Sequence, residues 1–372
     1  MSFEKLFSQS TNIVYKGTIQ IKRKREKIMK FDFVIGNPPY NEEFGGSGEN
    51  ETYAAPVYNK FIDAANTISD KVELVHPARF LFNVGSTPKA WNEKMLRDKH
   101  LKILHYEAES KVFFANTKIR GGICISYHDN NIDFGAIEVF TPYPLLNSIT
   151  KKVRSYNGFS SITQIMYIQN RFNLDAMYRD YPHFKALIGS DGKDKRFETG
   201  IFEKIPLFAD EKKGDDDIAV YGVIKKKRCF KYFPIKYTEI EHENLYQYKV
   251  VTMKSNGEGV FGEAMAPFDI LKPLEAFTRS YISIGAFDDE YEAVNCRKYL
   301  KTKFARVLLY VKKVTQDNPI DTWVCIPIQD FTDNSDINWS ASIPDIDKQL
   351  YKKYNLSDEE INFIETKVKE MA

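Results

Sequence analysis

Residues 31–35 (FDFVI), apolar except for Asp32, lead without a break into Gly36-Asn37-Pro38-Pro39-Tyr40. The run reads as a buried strand that ends at Gly36. Each of the two prolines fixes φ near about −65° and lacks an N–H, so neither a helix nor a sheet ladder continues through them. The pair makes a rigid turn whose carbonyls no local donor satisfies. The side-chain carbonyl of Asn37 and the backbone carbonyl of Pro38 then project beyond the carboxyl end of the strand, where open α/β sheets bind ligands. Two adjacent acceptors suit a group with two N–H bonds, such as the exocyclic amine of a nucleobase, and Tyr40 offers a flat face for stacking. A base held this way has left its duplex, so the chemistry implies base flipping. Taken alone, N-P-P-Y is also an ordinary rigid surface turn. The strand before it, and the helix and strand after it, weigh toward a site. Tyr40 follows the prolines directly, which excludes the spaced P-P-x-Y ligand of WW domains.

From Lys30 to about Tyr143 short apolar runs alternate with amphipathic stretches, the pattern of βαβ units. Val57, Tyr58, Phe61, Ile62 and Ala65 recur at helical spacing, and VELV at 72–75 reads as a second strand. A helix follows around 89–98, then strands at 101–106, 122–127 and 136–140. Beyond about Lys151 helical periodicity fades into short aromatic-rich segments divided by polar loops, as expected for a β-rich mixed α+β domain. Near the C-terminus Ser357 and Glu360 form a capping box ahead of an apolar stripe of Ile361, Ile364 and Val368. The expected fold class is therefore α/β in the first part and mixed α+β in the second.

FDFVIGNPPY resembles motif IV of the DNA amino-methyltransferases that modify adenine, especially the γ-type enzymes of bacterial restriction–modification systems. The resemblance implies that Asn37 and Pro38 accept hydrogen bonds from the adenine amine, that Tyr40 stacks on the flipped base, and that Pro39 shapes the turn. Residues 58–65 sit where that family has a helix lining the pocket. VELVHPARFLF resembles its next strand and loop, and residues 101–113 with 121–126 resemble its last strands. The resemblance thus implies a partial Rossmann-like methyltransferase sheet in residues 1–150, a target-recognition domain in 151–335 and a C-terminal helical segment in 336–372.

Such enzymes take their methyl group from S-adenosylmethionine, held by a strand and a glycine-rich turn that in γ-type order lies well upstream of N-P-P-Y. Only 36 residues precede Asn37 here, and residues 12–18 (NIVYKGT) carry Lys16 and Gly17 where the family has an acidic residue. Phe44-Gly45-Gly46-Ser47-Gly48 matches the glycine turn literally but has no strand to launch it, so it reads as a loop beside the base pocket. Gly257-Glu258-Gly259 is a similar decoy. No cofactor-binding residue is identified. The expectation is a chain lacking the cofactor-binding half: a shortened product, one half of a split enzyme completed by a second chain, or a piece of a longer protein.

Lys+Arg 53 against Asp+Glu 51 leaves a net charge of +2, so bulk charge neither demands nor excludes nucleic acid. Lys225, Lys226, Lys227 and Arg228, with Lys231, Tyr232, Phe233 and Lys236 close by, form a basic and aromatic cluster that suits a DNA groove or, equally, a solvated loop. The basic run at 22–27 reads as a solvated linker. Lys298, Lys301, Lys303, Arg306, Lys312 and Lys313 are expected on the exposed side of a helix whose apolar face is Tyr299, Phe304, Leu308 and Leu309. Asn318-Pro319 reads as a turn in preference to an adenine-reading Asn. The six histidines never fall at i, i+3 or i, i+4 spacing, so no metal site is expected, and His76, beside the proposed pocket, reads as structural. Four dispersed cysteines fit a reducing cytoplasm, and neither an apolar run of membrane-spanning length nor a P-loop is present. Two functions follow. One is site-specific adenine methylation of double-stranded DNA in the cytoplasm. The other is a DNA-binding module without catalysis of its own.

Overall fold

The computed structural model describes residues 30–41, 55–83, 86–114, 119, 121–188, 195–257, 260–313 and 315–371. Residues 12–18, the basic run 22–27, the glycine stretch 44–48 and residues 258–259 lie outside them. The chain divides into two units, Met1–Ile137 and Glu138–Ala372.

In the first unit β1 (Val34–Gly36), α1 (Tyr58–Ile68), β2 (Lys71–Pro77), α2 (Lys89–Arg97), β3 (Leu101–Glu107) and β4 (Ile123–Asp129) build a sheet of order β1-β2-β4-β3. β1 pairs parallel with β2, Val34 opposite Val72 and Gly36 opposite Leu74, and α1 is the crossover that a parallel pair requires. β4 runs antiparallel to both β2 and β3. β1, β2 and β3 therefore point the same way, and their carboxyl ends share one side of the sheet. Val72, Leu74 and His76 alternate onto one face, where Tyr58, Ile62 and Ala65 of α1 and Trp91, Met95 and Leu96 of α2 are buried.

The other face corrects the sequence reading. The strand expected to be buried exposes Phe31 at 38%, Phe33 at 48% and Ile35 at 56%. Parallel strands are ordinarily covered on both faces. Among the described residues β1 is an edge strand, bonded on one side to β2. Phe33 meets the ring of Tyr127 at 6.5 Å and the ammonium of Lys71 at 5.7 Å, both from its own sheet. No strand forms at 136–140, where Gly135 and Glu138 adopt φ of 75° and 53°, a left-handed backbone that interrupts regular strand geometry.

The second unit begins at Glu138, ahead of the boundary expected at 150. Its first helix, α3 (Pro144–Arg154), buries Leu146, Ile149 and Val153 in a core shared with β8 (Tyr248–Met253), β11 (Tyr281–Phe287), α6 (Glu290–Lys301), α7 (Lys303–Leu309), α8 (Ile343–Lys353) and α9 (Asp358–Lys367). The C-terminal helices thus belong to this unit rather than to a separate segment. Glu360, half of the expected capping box with Ser357, also receives Ser148 Oγ at 2.7 Å and Lys152 Nζ at 2.8 Å from α3.

Two sheets complete the unit. One has the order β10-β6-β7, with β6 (Asp217–Ile224), β7 (Lys227–Pro234) and β10 (Glu275–Phe277). The other has the order β5-β11-β8-β9, with β5 (Met166–Tyr167) and β9 (Asp269–Leu271). A second core of Phe172, Phe197, Phe208, Phe233 and Tyr237 lies against β6 and β7, joined by Met177 of α4 (Leu174–Asp180) and Ile201 of α5 (Ile201–Lys204).

The basic stretch around α6 and α7 differs from its expectation. Tyr299, Phe304, Leu308 and Leu309 are buried as anticipated, but so are Arg306 and Lys313. Lys313 reaches Glu263 at 3.3 Å, and the guanidinium of Arg306 bonds the carbonyls of Lys301 and Lys369. These cations hold the fold together. Asn318 is fully buried and accepts from Thr322 Oγ1 at 2.8 Å, at the start of the 3₁₀ turn Ile320–Trp323; it reads no base. All four cysteines are free. No helix among the described residues is long and apolar enough to cross a membrane.

Candidate active site

The turn after β1 stands at the carboxyl edge of the first sheet, together with the segments that follow β2 and β3 and the glycine pair Gly121-Gly122 that precedes β4. Asn37 and Pro39 are exposed, while Pro38 and Tyr40 are half-buried. Tyr40 is anchored twice. Its carbonyl accepts from Val57 N at 3.0 Å, which ties the turn to the head of α1, and its ring meets Phe114 edge-on at 6.5 Å and 72°. Burial, reinforced by nearby Cys124, pushes the Tyr40 phenol up to about 12, with the Asn37 side chain acting against the shift. Near neutral pH Tyr40 is an uncharged ring suited to stacking.

Behind the turn lies a packed aromatic column. Tyr58 stacks on His76 at 5.7 Å and 9°, His76 meets Phe80 at 5.6 Å, and Trp91 closes on Tyr58 and Phe80 at 6.1 and 5.4 Å. His76 is fully buried, and both ring nitrogens are engaged, Nδ1 3.2 Å from the Pro77 carbonyl and Nε2 2.7 Å from Ser126 Oγ. A carbonyl only accepts, so the proton sits on Nδ1 and Nε2 accepts from Ser126. The geometry gives His76 a structural role. Gly122 adopts φ +77°, and a Cβ there would lie 2.4 Å from the Glu107 carbonyl oxygen, so only glycine lets this approach to β4 pass so close to the end of β3.

The second set of sequence candidates lies in the other unit. Lys225 and Lys226 are the two central residues of the β6–β7 hairpin, closed by the pairing of Ile224 with Lys227. Both have positive φ, 47° and 66°, the conformation of a two-residue hairpin turn that favours Asn-Gly. Lys225, Lys226 and Lys227 are exposed at the tip. Arg228 departs from the reading. Its guanidinium is held 2.6 Å from Asp269 Oδ2, which also accepts from Tyr221 at 2.9 Å. Phe233 is buried in the aromatic core, Lys231 pairs with Asp210 and Lys236 with Asp180. The exposed ring beside the tip is Phe230, which alternation along β7 places outward. Among the described residues no three His, Cys, Asp or Glu side chains are grouped to hold a metal ion.

Residues 2–113 match the family described as Eco57I restriction-modification methylase. Over 105 residues the chain is 30% identical to an uncharacterized adenine-specific methylase of Mycoplasma pneumoniae, a match that takes in 28% of this chain and 25% of that protein. The resemblance read from N-P-P-Y is borne out. The match spans about a quarter of the curated relative's length. The crystal structure of the type IIG restriction endonuclease BpuSI aligns with 84% of the chain and 48% of its own, at a TM-score of 0.31 and 7% identity.

Within this methylase-like unit the sequence reading missed Phe114 as the neighbour of Tyr40, and Phe80 and Trp91 as members of the column around His76 and Tyr58. The cluster F-F at 113–114 was the available signal, since adjacent aromatics after a strand at the carboxyl edge have few places to pack. The column also makes a pH prediction. Burial pushes His76 from 6.5 down to about 4. Between these values the unfolded chain binds a proton that the folded chain refuses, so stability falls as pH drops through that window, by up to about 3 kcal/mol. Urea midpoints at pH 7 and pH 4.5 check this: the loss in the wild-type chain should exceed that in His76→Phe, and equal losses would contradict it.

Proposed function

We propose that the chain takes part in site-specific methylation of adenine in double-stranded DNA, as part of a restriction–modification system. The observation that carries this is the partly exposed turn Asn37-Pro38-Pro39-Tyr40 at the carboxyl edge of a parallel βαβ unit, over a stretch that matches a methylase family. The adenine amine is a poor nucleophile because its lone pair is delocalised into the ring. Donating its two N–H bonds to Asn37 Oδ1 and the Pro38 carbonyl draws the nitrogen toward tetrahedral geometry and frees that lone pair. Tyr40 supplies the stacking face, and the prolines hold both acceptors in place before the base arrives, so positioning and electrostatics do the work. S-adenosylmethionine is the methyl donor that the resemblance implies. Among the described residues no strand leads into a glycine turn fit to hold it, so these residues form the base side of the site alone. In the second unit the three-lysine hairpin tip suits phosphate contact, and a two-stranded ribbon fits the major groove. A chain with this activity would work where the DNA is, which for a bacterial restriction–modification system is the cytoplasm.

One observation favours a second reading, a DNA-binding module completed by another chain. β1 leaves an edge unpaired among the described residues, with Phe31, Phe33 and Ile35 uncovered, and such an edge is a template for association. Calorimetry with S-adenosylmethionine, followed by mass spectrometry for N6-methyladenine in a mixed-sequence duplex, separates the two. Saturable cofactor binding with methylation supports the enzyme. DNA binding without cofactor binding supports the module, and absence of both overturns the proposal.

A further inference from the structure

We propose that the second unit binds a small organic cation, through an ammonium or guanidinium group, in a cavity of about 250 Å³ walled by Tyr167, Arg171, Glu239, Glu241, His242 and Glu243. The site is independent of the methylation reading.

The argument starts from His242, whose side chain is 6% exposed. Its Nε2 lies 2.9 Å from the Ile168 carbonyl oxygen. A carbonyl only accepts, so Nε2 carries the proton and donates it. Burial lowers the basicity of the ring and keeps it neutral. Nδ1 is therefore a lone-pair acceptor, and it has no hydrogen-bond partner among the described residues. The Glu243 carboxylate, with Oε2 3.9 Å from Nδ1, is itself an acceptor and cannot complete it. Glu239 repeats the pattern. Its backbone N–H is fixed to the Arg171 carbonyl at 2.9 Å, and its Oε2 is buried without a partner. Buried polar atoms are almost always satisfied, so two orphan acceptors carried by residues that wall one cavity call for a ligand that brings donors.

Charge sets the sign of that ligand. Three carboxylates face one guanidinium in the wall while His242 stays neutral, which disfavours an anion. The Glu and His side chains of the wall are not grouped to hold a metal ion. An ammonium offers three donors and a guanidinium five, enough to serve Nδ1 of His242 and the Glu239 carboxylate together. Two sources present these groups: a diffusible amine, or the Lys or Arg side chain of a protein.

The test titrates the full chain, with ¹⁵N-labelled histidine, with ethylammonium, spermidine and methylguanidine while following the imidazole nitrogens of His242. The expected result is a saturable shift at Nδ1, weakened about ten- to a hundredfold by Glu239→Gln, which removes a charge-assisted hydrogen bond but keeps the side-chain shape. Glu203→Gln, an exposed glutamate outside the wall, leaves it unchanged. Tighter saturation by methylguanidine points to an arginine side chain as the source, and by spermidine to a diffusible polyamine. No saturation with any probe, or equal affinity in Glu239→Gln, overturns the proposal and leaves the cavity to water.

Discussion

Asn37→Ala is expected to slow adenine methylation by about a hundred- to a thousandfold, the usual cost of losing one preorganised polar group at a reacting centre. Duplex affinity should stay near the wild-type value, because Asn37 follows β1 directly and is exposed. Two substitutions at Tyr40 sharpen the test. Tyr40→Phe keeps the ring and its edge contact with Phe114, so most activity should remain. Tyr40→Ala removes a stacking face, at about 1–3 kcal/mol for the extrahelical base. The readout is N6-methyladenine per duplex under single-turnover conditions, with filter binding of the same duplex as control. Methylation that survives Asn37→Ala would remove Asn37 from the reaction and with it the assignment of the turn.

What was legible in the sequence was what local covalent constraint decides. Two prolines after an apolar run end a strand whatever surrounds them, and Ser357 with Glu360 starts a helix from within one turn. Side-chain burial follows a different logic, because it is set by partners distant along the chain. FDFVI reads as interior by composition, yet β1 stands at an edge with one face open among the described residues. Lys313 reads as a surface cation, yet its partner Glu263 lies fifty residues away and encloses it. The same limit applied at the site. N-P-P-Y was visible, whereas the contact between Tyr40 and Phe114 joins residues 74 apart in the chain and has no local signature. Within the basic cluster the run of charges was visible. The hairpin that separates its three exposed lysines from the ion-paired Arg228 was not, because it depends on where the chain reverses.

That reversal changes what the cluster is expected to do. A two-residue turn with positive φ at both positions favours Asn and Gly, and lysines there carry a conformational cost. Placing cations at such a tip holds three charges at the end of an eight-residue β-ribbon, clear of the aromatic core beneath it. If the tip lies on the DNA backbone, replacing Lys225, Lys226 and Lys227 together by Ala lowers the slope of log affinity against log salt by about 2.7, from roughly 0.9 per lost phosphate contact. Affinity should fall for every sequence alike while preference among sequences persists, because phosphate contacts position a duplex and base edges specify it. Arg228→Ala should behave differently. It unpairs Asp269 and disturbs the Tyr221 hydroxyl that shares it, so it should lower thermal stability with little change in slope. Fluorescence anisotropy across a salt series, run beside a melting curve for each variant, separates the two effects. An unchanged slope in the triple variant would make the tip a solvated turn, and a slope change in Arg228→Ala equal to a full contact would mean that the ion pair opens to meet DNA.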